Sequence, residues 1–152
     1  YAHAWAYKRN PAYYNYDKLG GDCTNFASQC ILQGARVMNY RPTYGWYYNS
    51  ANDKSPSWTG VEFLYDFLTR SKGGAGPFAE DAAVEEIQPG DIVQLSFDGQ
   101  LFSHTPVVVE AGSPPGPGSI LVAAHTYDCD NKVLASYTYK KVRFLHIAGV
   151  RR

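Results

Sequence analysis

Apolar residues recur at Cys23, Phe26, Ala27, Cys30 and Ile31 before Gly34. This i, i+3, i+4, i+7, i+8 stripe predicts a helix with one buried face, with Asp22 as its N-cap and Gly34 as its stop. Upstream, Tyr1 to Arg9 reads as a short helix closed by Asn10-Pro11. Tyr13-Tyr14-Asn15-Tyr16 then forms an aromatic loop leading toward Gly20-Gly21. Residues 35–60 lack a period and are rich in Tyr, Asn, Ser, Pro and Trp; irregular chain of that length in a compact domain is usually functional or poorly ordered. Val61, Leu64, Tyr65 and Leu68 restore helical spacing over 61–72, and Gly73 to Pro77 break it.

From Pro89 the period drops to two. Asp91 to Phe97 alternates, Asp98-Gly99 is a two-residue hairpin signal, and Gln100 to Glu110 continues the alternation. Gly112 to Gly118 is a Pro/Gly loop, Ser119 to His125 a third strand and Arg143 to Val150 a further one. Helices first and an antiparallel sheet second predict an α+β domain.

The hairpins also predict a register. A turn at Asp98-Gly99 pairs Leu95 with Phe102 and Val93 with His104. A second hairpin, symmetric about the proline loop, pairs Val108 with Leu121, Pro106 with Ala123 and His104 with His125. Alternation then sets His104 and His125 side by side on the apolar face that receives the Cys23 helix. This placement depends on register, since a slip of one residue sends one histidine to the far side. Pro106 within the strand is an irritant, because proline belongs at edges and bulges.

Composition narrows the function classes. At 152 residues the chain is expected to form one domain over 1–152, and a chain of this size needs no metal or disulfide to fold. Its formal net charge of zero and lack of a basic cluster argue against nucleic-acid binding. Cys23, Cys30 and Cys129 are too few for a disulfide scaffold. No run approaches the roughly 18 apolar residues of a membrane span. The chain starts at Tyr1 without a signal-peptide pattern, which suggests an excised domain or mature fragment. Thirteen Tyr, seven Phe and three Trp suit an aromatic groove for carbohydrate or peptide as well as an ordinary core. Tyr16, Trp46, Trp58 and Asp22 are the candidate substrate contacts.

A thiol at the first position of a helix feels the positive end of the helix dipole, which favours thiolate. Cys23 is therefore the candidate nucleophile, although a free cysteine is also a common core residue. His104 is the candidate base that holds the thiolate as an ion pair and then protonates a leaving amine; His125 would orient it, with Asp128 as second choice. Each histidine alone could be an ordinary sheet residue. The Cys23 backbone N–H is an oxyanion donor, and the Tyr13–Tyr16 loop could supply a second. Cys30, Cys129, His3 and His146 read as structural. Cys23, His104 and His125 are also plausible zinc ligands, so a zinc hydrolase is a rival reading. A non-catalytic cell-wall binding module using the aromatic loops is another.

The segment Gly20-Gly21-Asp22-Cys23-Thr24-Asn25-Phe26-Ala27-Ser28-Gln29-Cys30 resembles the signature of the bacterial putative amidase domain family, grouped with papain-like cysteine peptidases near NlpC-type and CHAP cell-wall enzymes. Tyr7, Asn10-Pro11-Ala12-Tyr13, Ser57-Trp58-Thr59, Pro89-Gly90-Asp91-Ile92-Val93, Ser103-His104 and Ala124-His125-Thr126 with Asp128 extend the likeness over nearly the whole chain. The resemblance implies a papain-like fold, Cys23 as nucleophile, His104 as base and His125 in the third role. It also implies C–N hydrolysis through a thioester without any cofactor. By analogy with the neighbouring families, the substrate would be peptidoglycan stem peptides or related peptides and the location the cell wall or exterior.

Overall fold

The structure, a computed structural model, describes residues 1–152. Four helices, α1 (Ala2–Trp5), α2 (Cys23–Ala35), α3 (Pro56–Thr59) and α4 (Val61–Arg70), precede most of the sheet. A small hairpin, β1 (Tyr48–Ser50) and β2 (Asp53–Lys54), punctuates the irregular stretch between α2 and α3. Six strands form one antiparallel sheet in the order β3-β8-β4-β5-β6-β7: β3 (Gly76–Ala82), β4 (Ile92–Ser96), β5 (Val107–Glu110), β6 (Leu121–Ala124), β7 (Cys129–Val133) and β8 (Lys141–Arg151). The class is α+β. No helix is long and apolar enough to cross a membrane.

Alternation along the strands loads both faces of the sheet. Ile92, Val107, Ala123 and Leu145 join Phe26, Leu64 and Leu68 in a core beneath α2 and α4. Their neighbours Val93, Leu95, Val108 and Val122 join Ile87, Ile120 and Leu134 in a second core. Three local expectations shift. The N-terminal helix is only Ala2–Trp5 rather than Tyr1 to Arg9. Helix α2 runs past Gly34 and ends where Arg36 turns left-handed at φ 62° and bonds Leu32 O. Strand β3 begins within the stretch that read as a glycine break, and β7 forms where no strand was expected.

The registers differ from those expected, and the differences decide where the histidines go. Leu95 lies opposite His104, not Phe102. The turn is wider than Asp98-Gly99, because Asp98 Oδ1 accepts from both Gln100 N and Leu101 N. That shift of two residues preserves the face of each side chain. In the next hairpin Val107 lies opposite Ala123 and Val108 opposite Val122, one residue away from the symmetric count. A bulge between Val108 and Glu110 absorbs the odd residue. A shift of one exchanges faces. His125 stays on the face beneath α2, stacked on Phe26 in the first core with centroids 4.1 Å apart. His104 lies instead against Phe97 and Tyr137, and Tyr137 packs on the second core.

Candidate active site

Cys23 opens α2 and is buried, with Sγ 3.9 Å from Ser103 O and 3.8 Å from Thr24 Oγ1. Thr24 Oγ1 and Thr105 Oγ1, 3.0 Å apart, tie the helix start to the segment on either side of His104. The sulfur thus rests on the backbone that presents His104. No hydrogen bond joins Sγ to the imidazole. The ring nitrogens of His104 have no protein partner and are not enclosed; the residue lines a cleft of about 610 Å³. Phe97, Ser103, His104, Thr126, Tyr127 and Tyr137 are among its lining residues.

Burial governs the protonation of both groups. Desolvation pushes the Cys23 thiol up, against the weaker pull of backbone contacts from Thr105 and Thr24 and the Thr24 hydroxyl; the adjacent Asp22 carboxylate adds to the rise. Desolvation also lowers His104 to about 4. At neutral pH the resting pair is a neutral thiol and a neutral imidazole, not the ion pair expected from the helix dipole. Removing the sulfur from water outweighs a terminal dipole worth about 0.3–1 kcal/mol.

His125 does not orient His104. Its Nδ1 shares a 2.6 Å hydrogen bond with Asp22 Oδ2, and its Nε2 donates to Trp5 O at 2.7 Å. Asp22, standing at the N-cap position, makes no cap bond. Its other oxygen accepts from Tyr16 N and Asn25 Nδ2, each at 2.8 Å. The Cys23 backbone N–H is therefore left without an intramolecular acceptor. The second oxyanion donor expected from the Tyr13–Tyr16 loop is largely spoken for: Tyr13 N donates to Asn10 O, Tyr14 N to Tyr48 Oη and Tyr16 N to Asp22. Asp128 reaches no histidine; it receives a two-pronged bond from Arg9 at 3.0 and 2.9 Å.

The expected substrate contacts are corrected by burial. Trp46 and Trp58 are fully buried, their indole N–H groups donating to Ser28 Oγ and Asn25 Oδ1. Tyr16 and Asp22 are buried as well. Tyr13, Tyr14 and Tyr48 line a shallow groove of about 470 Å³, and Phe97, Tyr127 and Tyr137 line the cleft beside His104. Tyr13 and Tyr14 belong to the aromatic loop legible in the sequence, whereas Tyr48 and the cleft residues Tyr127, Lys132 and Tyr137 carried no motif. The zinc reading fails on geometry, since both nitrogens of His125 are committed and no three His, Cys, Asp or Glu side chains converge as a metal site. The three cysteines are unpaired. Burial raises Cys30 to about 12, while Cys129 Sγ meets Tyr137 Oη at 3.4 Å at the cleft wall.

The description "putative amidase domain" matches residues 1–148. The chain belongs to that family. Membership points to hydrolase chemistry at an amide bond. The chain is also 38% identical over 133 residues to the uncharacterized protein YhbB of Bacillus subtilis (strain 168), a match spanning 84% of this chain and 40% of that protein. The domain thus corresponds to less than half of that relative. No solved structure matches the chain.

Proposed function

We propose that the domain hydrolyses an amide bond with Cys23 as nucleophile and His104 as general base. The observation that carries this reading is the placement of the Cys23 sulfur at a helix start, 3.9 Å from the carbonyl oxygen of Ser103, a residue that lines one cleft together with His104. A helix bearing its cysteine at the N-terminus and packed on an antiparallel sheet supports the papain-like class. Because both groups rest neutral, the thiol proton passes to His104 as sulfur attacks the carbonyl carbon, while the free Cys23 N–H meets the developing oxyanion. The C–N bond then breaks as His104 returns the proton to the leaving amine. Water hydrolyses the thioester, releasing acid and thiol. Asp22 and His125 act as positioning residues that fix the start of α2. By analogy with the NlpC-type and CHAP families near which the residue 20–30 signature is grouped, the substrate class is peptidoglycan stem peptides or related peptides, met at the cell wall or outside the cell.

The test is alkylation by iodoacetamide with peptide mapping. Cys23 is expected to label faster than Cys30 and Cys129, and His104→Ala to remove most of that advantage. Equal labelling of the three thiols, or an advantage untouched by His104→Ala, would overturn the assignment.

A further inference from the structure

The charges of the cleft are unbalanced. Its ionisable lining groups other than thiols and phenols are His104, Asp128 and Lys132. Asp128 is held by Arg9, which donates to both of its oxygens while also pairing with Asp17, and it forms no ion pair with Lys132. Burial keeps His104 neutral. Lys132 is half-buried on β7 and forms no ion pair; its ammonium sits 4.6 Å from the centroid of the Tyr137 ring. That same ring lies 5.6 Å from the centroid of His104. One unmatched cation therefore stands a single aromatic ring away from the imidazole. The lining also offers the hydroxyl groups of Ser103, Thr126, Ser136 and Thr138. An ammonium in a partly dry cleft attracts an anion more strongly than one in bulk water.

We propose that the cleft takes amide substrates that carry a free carboxylate near the reacting bond, and that Lys132 is the residue selecting them. This rests on the reading of Cys23 and His104 as the reacting pair. One ammonium balances one carboxylate, whereas a phosphate dianion would bring a charge with no partner. The hydroxyl-lined wall can take the polar backbone of a peptide, and the Phe97 and Tyr137 rings its apolar parts.

The experiment measures protection of Cys23 from iodoacetamide, followed on the Cys23 peptide alone, by N-acetyl-alanyl-alanine and by its C-terminal carboxamide. Wild type should be half-protected at about fivefold lower concentration of the acid than of the amide, the range expected for a partly exposed ion pair. Lys132→Gln should bring the two ligands within about twofold, Lys132→Arg should keep the preference, and high salt should shrink it. Equal protection by both ligands in wild type, a preference that survives Lys132→Gln, or no protection by either would each overturn the proposal. Protection needs no turnover. A chain that hydrolyses nothing yet shows the preference would refute the catalytic reading and leave the carboxylate site standing.

Discussion

Asp22→Ala is the substitution whose cost follows most directly from the structure. It removes the acceptor of three buried donors at once: His125 Nδ1 at 2.6 Å, and Tyr16 N and Asn25 Nδ2 at 2.8 Å. The Asp22 and His125 side chains are each only 1% exposed, so water cannot readily replace the carboxylate. An orphaned buried donor costs about 1–3 kcal/mol, and breaking a buried pair by deleting one partner about 3–5 kcal/mol. We therefore expect a loss of about 4 kcal/mol, the larger losses being blunted by local relaxation. In a domain of this size each kcal/mol moves the melting midpoint by about 2–4 °C, so the drop should be about 8–16 °C. Asp22→Asn keeps an acceptor for Tyr16 N and Asn25 and can donate to His125 Nδ1, while Nε2 still donates to Trp5 O; it should cost about half as much. Urea unfolding followed by far-UV circular dichroism reads both, with an unchanged m-value licensing the comparison. An Asp22→Ala protein within 1 kcal/mol of wild type, or an asparagine variant as damaged as the alanine one, would refute the reasoning.

Two further outcomes follow from the same interior. Because burial holds His104 at about 4 in the folded chain and the unfolded residue titrates near its ordinary value of about 6.5, protons favour the unfolded state between those values. Wild-type stability should therefore be fully present above about pH 6.5 and fall with acidification by up to about 1.4 kcal/mol per pH unit more than that of His104→Gln; parallel profiles would contradict a buried neutral imidazole. Trp58→Ala should destabilise by about 3–5 kcal/mol, because the ring is fully enclosed and bonded to Asn25; a variant that melts like wild type but loses only ligand binding would return Trp58 to the substrate groove.

Local pattern made part of this structure legible. The stripe from Cys23 and the face through Leu64 and Leu68 were readable because a helix repeats its burial every three or four residues. What pattern could not supply is the side-chain device that resets a register. Asp98 widens the first turn by taking two amides, and the bulge beside Val108 shifts the second hairpin by one. Strand period records alternation but not the length of an excursion, so the facing of His104 and His125 was beyond it. Strand β3 was hidden for a different reason. Gly76 and Pro77 begin it at the sheet edge, where no ladder partner is needed on one side. Trp46 and Trp58 show the limit of composition, since an aromatic with a polar tip fits a groove or a core equally well.

Asp22 ties these threads together. As an N-cap it would have turned its carboxylate onto the first amides of α2 and consumed the donors of the helix start. His125 instead lies beneath the helix, against Phe26, and the carboxylate turns inward to meet it. The cap is spent on tertiary structure, and the Cys23 N–H stays open. Thr126 completes the exchange: its Oγ1 accepts from Asp22 N at 3.0 Å, and it stands in the left-handed region at φ 63°, followed by Tyr127 at 57°. A non-glycine pair held in that region stores strain that the surrounding contacts must sustain. It sits at the rim of the same cleft, where Tyr127 is 96% exposed. The sequence pairing of Asp22 with Cys23 thus reads physically as an anchor beside the proposed nucleophile: the acid fixes where the helix begins, and so where the sulfur lies relative to His104.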